Sequence, residues 1–575
     1  MRQTLTRLFF SATTALAGLT QTSTAAAAEP WSDPDPANLP VRTAFGDFGI
    51  RPAAEYRANW LHINPLSLNT TSQRNAGWIE HRLRLDGTVD YLDKIKIVTS
   101  TDILDGTMWG DNGDLGKAPE PDRGSNVNAR NPNLAAPCIR YLGTGDQLQP
   151  GSYGYGLCSQ ESFRIRRAYG EVALPFGLLR VGRQPIGVGT GIQQATGDGR
   201  PNRFGFSRQG NSVDRVMFAT KPLEALKPKD KRNLSQTEGF FVVTGYDNFV
   251  SDSPQLFGDD VRQFFGALLF NAPSLGPLSD VSTTGYAVYR WDELYSSSIH
   301  TFGLRAMARL GGFHFGGEIA TNQGTTREIG LAYRVIANDP VIDQKIDQLG
   351  ARAVIRYDYA PWAHGSLKDL GSDAGKARAP DPLWTAYLEF DYASGDPDPQ
   401  NRTPLSQFVF AEDTNVGLLL FKHVLHFQSA RAAAAATEAL RRLGATSFPA
   451  ESINTRGAFT NAIALFPQVD VRPHPRLLLR GGVLFAWADA PVNDPVASLQ
   501  ARDGVTIDDD LVNFVGGKPG KRYGTEIDGR IQWRYLDHFL FDLEGAILFP
   551  GDALQDRDGR AARSGMVQGR TTFHF

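Results

Sequence analysis

Arginines recur at even spacing: Arg82 and Arg84, Arg305 and Arg309, Arg352 and Arg356, Arg530 and Arg534. Arg57 and Arg480 stand in similarly alternating surroundings. Residues two or four apart share one face of a β-strand. A guanidinium is a permanently charged planar fork that matches a carboxylate with two parallel hydrogen bonds. A file of such forks can hold successive anionic groups weakly and at several points, so a charged solute can enter and still leave. Acids share these faces, among them Glu80, Asp86, Asp358, Glu526, Asp528, Asp542 and Glu544. Two readings stay open: an anion-selective row, or a wall of paired charges with no net field.

Other chemistry has little support. The chain has no nucleophile elbow, no H-E-x-x-H helix, no P-loop and no C-x-x-C pair. Its 10 histidines are scattered. No catalytic residue, cofactor or metal is expected. Asp111, Asn112 and Asp114, and the run Asp508, Asp509 and Asp510, resemble acidic calcium loops without the full ligand spacing. A formal net charge of −3 over 575 residues gives no basic excess for nucleic acid.

The elements that carry the arginines read as strands. At the end of the chain Val567, Gly569, Thr571, Phe573 and Phe575 alternate with Gln568, Arg570, Thr572 and His574. That is a strand with one apolar and one wet face. At the other end, Arg2 and Arg7 precede a short apolar stretch, and Ala26, Ala27 and Ala28 offer a small-residue cleavage site. This pattern predicts a secretory signal peptide over residues 1–28. No later window is apolar enough for a membrane helix, yet a secreted chain can still cross a membrane as a closed barrel. Abundant glycine (59) and aromatics (10%) fit that option.

Candidate strands lie near 51–63, 77–91, 94–105, 163–174, 177–188, 213–221, 238–249, 261–272 and 281–292. Others lie near 298–310, 312–322, 348–360, 384–395, 453–466, 476–488, 524–535, 538–549 and 566–575. That is an even number, about 18, and most are long enough to cross a bilayer when tilted. Connections alternate in length. Tyr91–Lys94, Leu174–Gly177, Gly311–Gly312, Pro473–Arg476 and Tyr535–His538 are tight. The stretches 106–162, 189–212, 323–347, 396–452, 489–523 and 550–565 are long and polar. Short periplasmic turns and long external loops are the habit of outer-membrane barrels. The connections 222–237 and 361–383 break the alternation and read either as periplasmic flaps or, in one of them, as a further strand pair.

The fold class expected is therefore all-β: a transmembrane antiparallel β-barrel of about 18 strands. Residues 29–47 form a short periplasmic segment and 48–575 the barrel, in the outer membrane of a Gram-negative bacterium. In 524–535 Ile527, Ile531, Trp533 and Tyr535 oppose Glu526, Asp528, Arg530 and Arg534. So many charges cannot fill a dry core, because unpaired buried charges cost several kcal/mol each. The apolar faces turn to lipid and the charged faces line water. The inward bases are then Arg57, Arg82, Arg84, Arg305, Arg309, Arg352, Arg356, Arg480, Arg530, Arg534 and Arg570, all arginine, which favours sugar acids. Trp60, Trp78, Tyr91, Trp384, Trp487, Trp533 and Tyr535 fall near strand ends, as interfacial aromatic girdles do.

Three segments resemble the alginate-export family of bacterial outer-membrane barrels. The first is RIRRAYGEVALPFGLLRVGRQ (Arg164 to Gln184), followed by NRF at Asn202–Phe204 and VDRVMF at Val213–Phe218. The second is FDYASGDPDP (Phe390 to Pro399), with SQFVF at Ser406–Phe410. The third is GTEIDGRIQWRY…EGAILFPGDA (Gly524 to Ala553). The resemblance implies a monomeric barrel exporting a polyuronate or another polysaccharide, with periplasmic export partners. It also adds Arg183 of the GRQ motif, with Arg166 or Arg167, to the pore-lining set. The alternative is an uptake porin, general or selective, for small solutes. Phe575 on the apolar face resembles the C-terminal signal read by the barrel-assembly machinery. In an oxidising periplasm Cys138 and Cys158 could pair and brace the loop 106–162. Residues 428–443 read as a short helix within the loop 396–452, on the barrel surface or folded into its mouth.

Overall fold

A computed structural model describes residues 43–575, apart from 111–162, 252–260, 328–342, 361–381, 433–452, 502–509 and shorter stretches of the loops. The leader 1–28, Cys138 and Cys158, and Asp111, Asn112 and Asp114 lie outside the described residues.

The strands are β1 (Thr43–Phe45), β2 (Phe48–Asn64), β3 (Ala76–Tyr91), β4 (Ile95–Gly110), β5 (Arg164–Leu174), β6 (Gly177–Ile186), β7 (Asn211–Thr220), β8 (Gly239–Ser251), β9 (Arg262–Leu275) and β10 (Leu278–Asp292). They continue as β11 (Ser297–Leu310), β12 (Phe313–Thr326), β13 (Gln344–Tyr359), β14 (Trp384–Ala393), β15 (Ala462–His474), β16 (Leu477–Trp487), β17 (Arg522–Tyr535), β18 (Phe539–Pro550) and β19 (Ser564–His574).

From β2 to β19 each strand pairs antiparallel with the next. Pairing of β19 with β2, from Gly565 opposite Asn64 to His574 opposite Glu55, closes the ring. Of the 19 strands in the sheet, all but β1 form this ring, so the barrel has eighteen. Closure removes open edges, and backbone groups in the wall find partners without water. The chain terminus is fixed too: Phe575 and Ala54 exchange two backbone hydrogen bonds of 2.9 Å. Below that point β1 hairpins onto the foot of β2, Phe45 opposite Phe48.

The wall has two faces, as its alternation demands. Ile527, Ile531, Leu479, Val469, Leu388, Phe302 and Leu304 are exposed on the outside, while their sequence neighbours Glu526, Asp528, Arg530, Arg480, Asp470 and Glu389 are buried inside. One end carries the tight turns and the other the long loops. Trp60, Tyr91, Trp487, Trp533 and Tyr535 are exposed outward near these ends. Trp78 departs from expectation. It lies on the inward row of β3, buried in the apolar core beside His423.

Two boundaries also moved. The strand read at 453–466 is Ala462–His474, and it carries Pro467 in its interior opposite Leu388. A proline ordinarily marks a strand's end, but here pairing with β14 runs through it, while pairing with β16 skips Phe466 and Pro467 and resumes at Gln468. The flap read at 222–237 is a compact knob with a helical turn at Pro222–Ala225. Its Lys221 Nζ donates to the carbonyls of Asn233 (2.9 Å), Ser235 (2.8 Å) and Glu238 (2.6 Å).

Candidate functional site

Cross-strand register decides what each inward arginine meets. Arg480 stands opposite Asp470, Arg84 opposite Asp102, and Arg352 opposite Asp391. Directly opposed side chains are close enough to bond. Arg480 grips Asp470 with two bonds (2.7 and 2.8 Å), and Arg84 grips Asp102 likewise (2.6 and 2.9 Å). Arg82 bonds Glu55 (2.6 Å), Arg356 bonds Asp358 (2.8 Å), Arg530 bonds Asp542 (2.9 Å), and Arg352 bonds Glu389. Arg305 and Arg534 are half-buried on inward rows. Arg309, at the turn-end rim, donates to the Gly311 carbonyl at 2.9 Å.

Two statements from the sequence need revising, and one alternative is resolved. Arg183 is not in the lumen. On β6 the buried row is Leu178, Arg180, Gln184 and Ile186, so Arg183 falls with exposed Val181 on the outer face. There it forms a two-pronged pair (2.9 and 3.0 Å) with Asp214, which is exposed beside Val216. The neighbouring Arg180 is the inward residue, bonded to Glu171 at 2.5 Å. Arginine is also not the only inward base, since Lys96 faces Glu171 at 3.6 Å. Arg166 resolves to the inside, donating to the Thr196 carbonyl at 2.5 Å.

The main feature is a segment that sequence periodicity could not place. Two described stretches of the β6–β7 connection, 189–196 and 202–206, lie inside the barrel against its wall. Near its start, Thr190 donates its backbone N–H (2.8 Å) and hydroxyl (3.0 Å) to Glu318 of β12. Its carbonyl accepts from Arg352 of β13 (2.9 Å). Gln193 bonds Asn322 of β12 (3.0 Å). Further along, Arg203 reaches β15, bonding Gln468 (2.7 Å) and Asp470 (2.8 Å), with its guanidinium 3.9 Å from the Tyr387 ring centre. The N–H of Gly205 donates to Glu544 of β18 (3.0 Å). Phe206 ends the described stretch between two guanidiniums, Arg57 at 5.5 Å and Arg570 at 5.6 Å from its ring centre. The NRF motif therefore marks the anchored part of the second stretch.

A second inward segment packs against the first. Asn415 takes a bond from its N–H to Asn202 (2.9 Å), and Ala411 donates to the Ile192 carbonyl (3.2 Å). Phe408, Phe410, Leu419, Phe421 and Phe427 pack in one buried apolar cluster with Phe459, Phe466 and Leu484. The helix expected at 428–443 lies mostly outside the described residues; just before it, a π-turn over Leu420–Leu425 runs on as helix to Ser429. Its first amides, those of Leu418 (2.6 Å), Leu419 (2.8 Å) and Leu420 (2.6 Å), all donate to Glu526 of β17. A carboxylate at a helix N-terminus satisfies orphan N–H groups and meets the positive end of the dipole. Burial, with Lys422 beside it, pulls the His423 imidazole down to about 3. In the second motif Asp396 accepts the N–H of Asp398 (3.0 Å) and Ser406 (3.4 Å), yet burial lifts its carboxyl to about 6.

Beside Phe206 the wall retains unused donors. Arg57 and Arg82 are nine-tenths buried or more on adjacent strands, and they stand opposite each other in register. Among the described residues Arg57 Nε and Arg82 Nη1 have no hydrogen-bond acceptor. Buried donors without partners are costly and ask for a ligand or water.

No protein-family model and no curated protein matches the sequence. Solved structures with a similar chain path exist. OccK2 (OpdF) of Pseudomonas aeruginosa aligns over 92% of this chain and 97% of its own, with 9% identity and a TM-score of 0.45. OccAB1 of Acinetobacter baumannii aligns over 92% and 96%, with 9% identity and a TM-score of 0.45. OpdQ of Pseudomonas aeruginosa aligns over 92% and 98%, with 10% identity and a TM-score of 0.44.

Proposed function

We propose that this chain is an outer-membrane channel for the selective uptake of small anionic solutes. The observation that carries this reading is the pair of inward stretches 189–196 and 202–206, fastened to the wall at β12–β13 and at β15 and β18. Together they take up part of the lumen, which favours a small solute over a threaded polymer. Arg57 and Arg82, with donors to spare beside Phe206, supply the preference for an anion. A carboxylate would take these N–H groups briefly and be released, because Glu55 and neighbouring wall acids hold the net field low. Transport of this kind needs no bond chemistry. The three motif segments favour a second reading, outward passage of an anionic polysaccharide with periplasmic partners.

The test is the refolded barrel in a planar bilayer, with reversal potential measured in a salt gradient and current recorded with glucuronate or an oligouronate. The proposal expects anion preference, block by glucuronate, and loss of both in Arg57→Gln. Transit of oligouronate as readily as the monomer would favour the export reading. Cation preference, or a current indifferent to both, would overturn the proposal.

A further inference from the structure

We propose that the outer face of β16–β19, at the long-loop end, binds the phosphate headgroup of an outer-leaflet lipid through Arg522 and Arg563, above an aromatic shelf of Trp487 and Phe549. This face looks to lipid, so its ligand is separate from whatever the lumen conducts.

Register assembles the site. Trp487 of β16 stands opposite Arg522 of β17, so the two side chains share the outer face. Phe549 of β18 stands opposite Thr525, further down the same face. Arg563 immediately precedes β19, and its guanidinium lies 5.2 Å from the Phe549 ring centre. All four of these side chains are exposed. Beneath them Ile527 and Ile547, paired and exposed, begin the apolar band. Apolar wall, aromatic rim and basic crown thus follow one another in the order of acyl chain, interface and headgroup. With β17 and β19 two strands apart, the two bases are spaced by about 10 Å.

Charge sets this sector apart. Elsewhere at the same end of the barrel, bases come with acids: Arg183 with Asp214 (2.9 Å), Arg262 with Glu293 (3.7 Å) and Arg327 with Asp343 (2.5 Å). Among the described residues, neither Arg522 nor Arg563 has a carboxylate partner for its guanidinium. The nearest acids in sequence are engaged by backbone: Asp552 accepts the N–H of Arg522 (2.7 Å), and Asp489 that of Gly395 (2.8 Å). Lys521, also exposed, adds a third base, with its Nζ on the Asp489 carbonyl at 2.8 Å. The stem of the site is fixed. Gly551 donates to the Tyr523 carbonyl (2.7 Å), and a Cβ at Gly551 would collide with the Arg522 backbone. Exposed cations without anions, set over an aromatic rim, are complementary to an anionic headgroup, and a guanidinium meets phosphate with two parallel bonds.

Native mass spectrometry of the refolded full-length barrel in detergent, titrated with diphosphoryl lipid A, tests this. One lipid molecule should be retained, and monophosphoryl lipid A should bind more weakly because one base loses its partner. Arg522→Gln with Arg563→Gln should weaken retention about tenfold. Arg522→Lys with Arg563→Lys keeps both charges and should recover most of it. Heat-modifiable gel migration checks that each variant is a closed barrel, and the comparison of the two lipids needs no variant at all. Equal retention by the glutamine variant, equal binding of the two lipids, or displacement by inorganic phosphate at the same concentration as the lipid overturns the proposal and leaves the channel reading standing.

Discussion

Glu526→Ala should release the inward segment Leu418–Ser429 while leaving the barrel closed. Glu526 is fully buried and accepts three backbone N–H groups at 2.6–2.8 Å. Hydrogen bonds to a charged group contribute roughly 1.5–3 kcal/mol each, and donors left buried without partners carry their desolvation cost as well. Loss of the charge at the helix start removes up to about 2 kcal/mol more. Against this, Asp528 follows on the same inward row and Glu544 faces the neighbouring Arg530, so removing one carboxylate relieves repulsion. The net local loss is about 3–5 kcal/mol, or roughly two-hundredfold to five-thousandfold in the opening equilibrium. Hydrogen exchange by mass spectrometry should show that loss of protection in Leu418–Ser429, with the paired strands β16–β18 unchanged. Glu526→Gln, which keeps one acceptor oxygen, should fall between the two. Protection in Glu526→Ala within about twofold of the native protein would refute the claim that this carboxylate holds the segment.

Two further outcomes follow from residues already placed. Arg183→Leu with Asp214→Leu should leave the reversal potential untouched, since the pair lies outside the lumen; a shift in ion selectivity would return Arg183 to the pore. His423 is depressed to about 3 from an ordinary 6.5, so the opened segment takes up the proton first. Its contribution is complete above about pH 6.5 and falls away as pH drops towards 3, reaching a cost of about 3 kcal/mol at pH 4. Exchange of Leu418–Ser429, corrected for intrinsic rate, should rise over that window, and His423→Gln should remove about half of the rise, because burial depresses His426 in the same way; an unchanged slope would reject the assignment.

The alternation of each strand, its two faces and the alternation of tight and long connections are local properties, and they were legible in the chain. A period of two needs no partner to be seen: Ile527 beside Asp528, or Val567 beside Gln568, already separates lipid from lumen. Sequence also singled out the NRF tripeptide and Glu526 within motifs, but without their tasks. What lies inside the ring depends on register between residues hundreds of positions apart. Arg203 meets Asp470, Gly205 meets Glu544, and three amides at Leu418–Leu420 meet Glu526 only once eighteen strands have closed. The same closure put Trp78 in the core, held Pro467 within a strand and turned Arg183 outward beside Asp214. The chain's own periodicity determined a charged-inside, apolar-outside barrel. Only the tertiary structure decided that its wall arginines are already bonded to acids and to a segment of the chain itself, because hydrogen-bond partners across a lumen are fixed by three-dimensional register and not by spacing along the sequence.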